Sequence, residues 1–147
     1  MKRPLRFLSM VFVLLLLGCS DDNDSSSPTL SLALGESNGR LHVVDYRVQN
    51  NAFVQSQQQG RYQGHIFDDN SNILRKINFE RIDLSAANHG NPEIDFYVAF
   101  PLLANAHRIE VYMLDGRSGH YQLKTDNPLL KWQIPESIAL ESQPVKE

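Results

Sequence analysis

The chain has 147 residues, 14 basic against 17 acidic, with 41% hydrophobic residues and a single cysteine. A formal net charge of −3 argues against nucleic acid as a partner. One cysteine excludes an internal disulfide framework, so the fold has to be held by its core.

In chain order, Lys2, Arg3 and Arg6 precede an apolar run from Phe7 to Leu17. A helix needs roughly 20 apolar residues to cross a bilayer. This run is too short, and a basic start with a brief apolar core reads as a secretory signal. It stops at Leu16-Leu17-Gly18-Cys19, which resembles the lipobox of bacterial lipoproteins. The resemblance implies removal of residues 1–18 by cleavage between Gly18 and Cys19, and acylation of Cys19. The lipid bilayer then becomes the first partner, gripped at about 0.8 kcal/mol per buried CH₂. Ser20, where an Asp would imply inner-membrane retention, implies anchoring in the outer membrane with the domain facing the periplasm. Asp21, Asp22 and Asp24 just behind it weigh the other way in some lineages, and an acidic tract here also resembles a surface-export signal.

Without residues 1–18 the chain keeps 11 basic and 17 acidic residues, a net charge of −6. Residues 19–28 read as the lipidated cysteine and its tether. The stretch from Asp21 to Ser27 has no apolar residue and spans at most about 25 Å. Residues 29–135 suffice for one domain with one core. Residues 136–147 read as a loose polar tail.

Within the domain the dominant period is two. Leu30, Leu32 and Leu34 alternate with small residues, and Val44, Tyr46 and Val48 alternate with Asp45 and Arg47. The same rhythm runs through Ile94–Phe100, Ile109–Met113 and Leu130–Ile134. Each predicts a strand with one buried and one wet face. Leu41 and Val43 are out of phase with Val44–Val48, which predicts a bulge near Val43. Two hairpins are predicted: one joins Tyr62–Phe67 to Ile73–Phe79 through Asp68–Asn72, the other joins Ile109–Leu114 to His120–Lys124 through Asp115–Gly119. The longer stretch from Arg81 to Pro92 suits a crossover between sheets. Helical spacing is absent from the mature chain.

Seven to nine short antiparallel strands predict an all-β sandwich or small barrel, and the sandwich is the fold expected. "YQGHIFDDNSNILRKINF" and "IDFYVAFPLLANAHRIEVYMLDGRSG" resemble immunoglobulin-like or fibronectin III-like domains of secreted bacterial proteins. In that resemblance the implied role is a non-catalytic module, as in appendages of secreted peptidases. The cysteine pair of antibody domains is missing.

Candidate chemistry is sparse. A nucleophile elbow needs Gly-x-Ser-x-Gly between strand and helix. Gly116-Arg117-Ser118-Gly119 has other spacing, in a predicted hairpin. The loop from Asp68 has the first acids of a calcium loop, but Ile73 and Phe79 stand where Gly and Glu belong. His42, His65, His89, His107 and His120 show no metal-binding spacing, although a cross-strand zinc site stays open. Glu93 and Asp95 are a conceivable acid–base pair, but acids on wet strand faces ordinarily only solubilise them. Trp132 falls in a buried register, which favours a core role over a sugar platform. No catalytic residue, metal ligand or cofactor is assigned.

The candidate binding surface comprises Tyr97 and Tyr112, in outward registers, with Asp68, Asp69 and Arg117 in or beside loops. Three function classes compete: a structural or protein-interaction module of the cell envelope, a carbohydrate- or peptidoglycan-binding module, and a hydrolase. Adjacent tyrosines would favour saccharide binding. Distant ones leave the lead with an envelope protein partner, met through a sheet edge or end loops.

Overall fold

A computed structural model describes residues 27–54, 60–81, 91–117 and 120–141. Gly18, Cys19, the tether up to residue 26, Ser118, Gly119, residues 82–90 of the expected crossover and the end of the tail lie outside the described residues.

The elements are β1 (Pro28–Ser37), β2 (Arg40–Ala52), β3 (Tyr62–Phe67), β4 (Ile73–Phe79), β5 (Phe96–Pro101), β6 (Arg108–Arg117), β7 (His120–Leu123), β8 (Leu130–Gln133) and α1 (Glu136–Glu141). They form two antiparallel sheets packed face to face, the all-β sandwich that the alternation predicts. The smaller sheet has the order β2-β1-β5. The larger runs β4-β3-β6, with β7 and β8 both paired to β6. The chain changes sheet between β2 and β3, between β4 and β5, and between β5 and β6; the second of these changes is the one expected of the stretch from Arg81 to Pro92.

Strand order departs from the immunoglobulin arrangement in one sheet. There the second strand lies between the first and the fifth. Here the first strand is central and the second lies outside it. The β4-β3-β6-β7 order does match the CFG-type sheet of a variable domain extended by its extra strand.

Local chemistry sets the smaller sheet. Asn38 and Gly39 both have positive φ, 53° and 71°, and they join β1 to β2 with Ser37 opposite Arg40. Asn-Gly is the favoured pair for such a two-residue hairpin turn. Farther along, Ala33 pairs with Asp45 but Leu34 pairs with Val43, leaving Val44 as the extra residue. This is the bulge that the broken phase predicts.

Between the sheets, Leu30, Leu32, Leu34, Phe96, Phe100, Ile66 and Val111 are wholly buried. Gly64 lies on the inner face of β3, and a Cβ there would collide with the Phe100 ring. The absent side chain is what lets that ring cross the interface. On one flank the sheets are joined: the Leu41 N–H donates to Leu129 O (2.9 Å). Nearby, Tyr46 meets Trp132 with ring centroids 5.6 Å apart. Trp132 is therefore a partly buried flank residue packed against the core, a correction to the fully buried register expected of it.

An ionic tie crosses between the layers. Arg81 follows β4, donates to Glu36 Oε2 on β1 (2.7 Å) and lies 3.6 Å from Asp95 Oδ1 at the start of β5. Asp95 Oδ2 also accepts the Glu36 N–H at 2.6 Å. Asp95, expected to be a merely solubilising acid, is half-buried and bonded.

The tail needs a further correction. Glu136–Glu141 form a short helix, and Ile138 packs into the core at 5% exposure. The domain therefore extends past residue 135, its expected end, into α1.

Phe96→Ala should destabilise the fold by about 3–5 kcal/mol, since no neighbour can refill a wholly buried aromatic site. Asp95→Ala should remove about 1–2 kcal/mol by freeing the Glu36 amide and weakening the Arg81 tie. Urea unfolding of both variants checks this, and equal losses at the two positions would contradict the strand phase.

Candidate functional site

Three surface regions have enough chemistry to be weighed. The first is the outer face of the larger sheet. β3 and β6 set Gln63, His65 and Phe67 opposite Tyr112, Glu110 and Arg108. β4 adds Asn78 and Lys76, and β8 adds Lys131 and Gln133. Ile66, Ile109 and Val111 face the core, so these residues face away from it.

They nevertheless bury one another. His65, Glu110 and Tyr112 are only 4%, 6% and 8% exposed. Tyr112 is thus a packed residue, which corrects the expectation that it stands open to a ligand. Its O–H donates to Glu110 Oε2 at 2.5 Å, and Arg108 Nε donates to Glu110 Oε1 at 2.9 Å. Lys131 Nζ is 3.6 Å from the same oxygen. Gln63 donates to Asn78 Oδ1 at 2.8 Å, and its own Oε1 is 2.7 Å from His65 Nε2. That oxygen can only accept, so the His65 proton is on Nε2. The His65 and Tyr112 rings are 4.7 Å apart, and Arg108 lies 4.5 Å over the Phe67 ring.

Electrostatics follow from this packing. Burial holds the His65 pKa below its ordinary 6.5, the Lys76 charge pushes the same way, and Glu110 opposes both. Burial, then the Glu110 hydrogen bond and charge, push the Tyr112 phenol up to about 12 from 10.0. Both Glu110 oxygens, the Tyr112 hydroxyl and the Gln63 amide are directed at neighbours. Their chemistry is cohesive, holding four strands in register.

The second region is the outer face of the smaller sheet. Here Tyr97 is half-exposed beside a groove of about 340 Å³. Tyr97 and Tyr112 belong to different sheets and opposite outer faces, so they form no common platform.

The third is a recess of about 300 Å³ at the end remote from Ser27, between Leu41, Tyr62, Met113 and Leu129. Glu36 on its rim is neutralised by Arg81.

The remaining candidates are scattered. Asp68 and Asp69 lie in the β3–β4 loop, at the end where the chain enters. Both Asp68 oxygens accept from Asn72, at 2.7 and 2.9 Å, and that bonding lowers its pKa. Ser71 completes the turn with φ 64°. The loop is thus organised by its own Asx chemistry. Arg117 ends β6, toward the opposite end of the sandwich. Among the described residues no group of three or more His, Asp or Glu is placed to hold a metal.

Compared with known proteins, the chain matches no family model, and neither a curated protein nor a solved structure matches it significantly.

The polar face predicts opposite pH responses. The folded chain keeps His65 neutral, whereas the unfolded chain protonates it near 6.5. Its contribution is complete above pH 6.5 and declines as pH falls below that value. Tyr112 favours its protonated form on folding, so its contribution is complete below pH 10.0 and declines from there toward about 12. Melting temperatures across pH should therefore fall less steeply on the acid side in His65→Gln and less steeply on the alkaline side in Tyr112→Phe. An unaltered slope in either variant refutes the assignment for that residue.

Proposed function

We propose that this chain is a lipid-anchored protein of the outer membrane, facing the periplasm, whose β-sandwich is a non-catalytic interaction or structural module. The observation that carries the reading is the meeting of Cys19, at the end of a short signal-like apolar run, with a domain whose first described strand starts at Pro28. Eight residues link Cys19 to Ser27 and span at most about 29 Å, so the domain stays close to the membrane. The partner is another envelope protein, reached through the sheet edges and end loops of a rigid scaffold. The separation of Tyr97 from Tyr112 supports this over a two-aromatic sugar platform. The acidic balance of the mature chain favours a basic partner, with binding that weakens as salt rises.

Cys19→Ala should move the protein out of the membrane fraction or leave it with its signal uncleaved. Labelled palmitate should enter the wild type alone. Equal labelling of both forms rejects the anchor. Hydrolytic turnover by the purified chain that vanishes in His120→Ala rejects the non-catalytic role.

A further inference from the structure

The outer face of β2-β1-β5 has a shape and a set of groups that the reading above leaves unused. Its cross-strand rows place Tyr97 beside Ala33 and Asp45, and Ala99 beside Ser31 and Arg47. Small residues thus form a floor along β1, with Tyr97 as one wall and the polar side chains of β2 as the other. Ala33 points away from the core yet is only 3% exposed, which shows that the walls rise over it. Gln49 extends the β2 wall, and the groove encloses about 340 Å³.

We propose that this groove binds a neutral saccharide, with Tyr97 as its stacking surface. The inference rests on the chain being a binding module, and it adds a ligand site to that module. Three features of the lining select the ligand class. First, Asp45 and Arg47 cancel in charge. Their side chains are 58% and 80% exposed, and their charged atoms are 3.9 Å apart, too far for a hydrogen bond. An anion or a cation would be attracted by one of them and repelled by the other. Second, a purely apolar ligand would strip water from both without replacing it, leaving polar groups unpaired. A polyhydroxylated ring avoids this: its hydroxyls donate to Asp45 and accept from Arg47, Gln49 and Ser31. Third, the apolar C–H face of such a ring matches the face of the Tyr97 side chain, whose hydroxyl keeps its contact with water. The volume is at the low end of small-molecule clefts, enough for about one or two sugar rings.

An extended peptide is a poorer match. Recognition by strand addition needs a row of unpaired main-chain groups. β1, which underlies the groove, is paired along both sides.

The test uses the full chain in a detergent without a sugar headgroup, titrated calorimetrically with N,N′-diacetylchitobiose and cellobiose. Glucosamine and glucuronate serve as cationic and anionic comparisons. Saturable binding of at least one neutral disaccharide is expected, tighter than either charged sugar and little affected by salt. Tyr97→Ala should weaken it roughly tenfold, the factor that corresponds to about 1.4 kcal/mol, while Tyr97→Phe keeps most of the affinity. Ile73→Ser, on the other sheet, should leave binding unchanged. The melting temperature of Tyr97→Ala should match the wild type, because the ring is half-exposed. Absence of saturable binding by either neutral disaccharide overturns the proposal, as does affinity that survives Tyr97→Ala or a preference for a charged sugar. Membrane attachment is read separately through palmitate at Cys19. A labelled protein that binds no sugar rejects the groove alone, and an unlabelled one rejects the tether whatever the sugars do.

Discussion

Leu30, Leu32 and Leu34 are wholly buried, and β1, which carries them, is the one strand of its sheet with a ladder on each side. Its register against β2 and β5 sets which residues of those strands meet the larger sheet. A slip of one residue would turn the three leucines outward and bring Ser31 and Ala33 into the core. The same alternation makes the groove. A strand that must bury leucines on one face is left with small residues on the other, and these form a floor because Tyr97 and Arg47 on the neighbouring strands are large. The Asn38-Gly39 turn and the Val44 bulge fix this register from the β2 side.

The larger sheet meets a different constraint. The middle of its outer face, at His65, Glu110 and Tyr112, is nearly dry although polar, so each group there must find a partner on that face. Among the described residues no buried side-chain polar atom lacks one. Glu110 is the hub, receiving Arg108 and Tyr112 and standing close to Lys131. Removing a partner would leave a buried carboxylate under-solvated. His65 belongs to the same economy: a neutral imidazole can donate to Gln63 while packed against Tyr112, whereas an imidazolium would be repelled by Lys76.

The fold was legible from the sequence because period-two alternation is a direct imprint of a half-buried strand. The bulge near Val43 was legible for the same reason, as a break in phase. Tyr112 was not, because alternation tells which side of a sheet a residue occupies and says nothing of how well that side is covered. Its burial depends on His65, Gln63 and Glu110 meeting it from β3 and along β6. Trp132 sits in the inward register, but on β8 at the flank, where Tyr46 of β2 covers it only in part. Asp95 owes its bonds to Arg81 and Glu36, which are remote in sequence. α1 has six residues, too few to show a helical period. The central place of β1 was also hidden, since local pattern does not encode strand order. The Tyr97 groove needed that order, because Asp45, Ser31 and Tyr97 meet only once β2, β1 and β5 are side by side.

Strand order also bears on how an anchored domain carries load. On the proposed anchoring, a pull on the tether arrives at Ser27. The Ser27 carbonyl accepts from Phe53 N and the Pro28 carbonyl from Leu102 N, so both flanking strands grip the chain where it enters. An edge strand loaded at its end has a ladder on only one side. β1 has one on each side, so separating it requires the bonds of two ladders to yield. Placing the first strand in the middle of its sheet, where the immunoglobulin order would put the second, therefore suits a domain held by its N-terminus. It also makes the groove, because Asp45, Ser31 and Tyr97 line one sheet face only when β1 lies between β2 and β5.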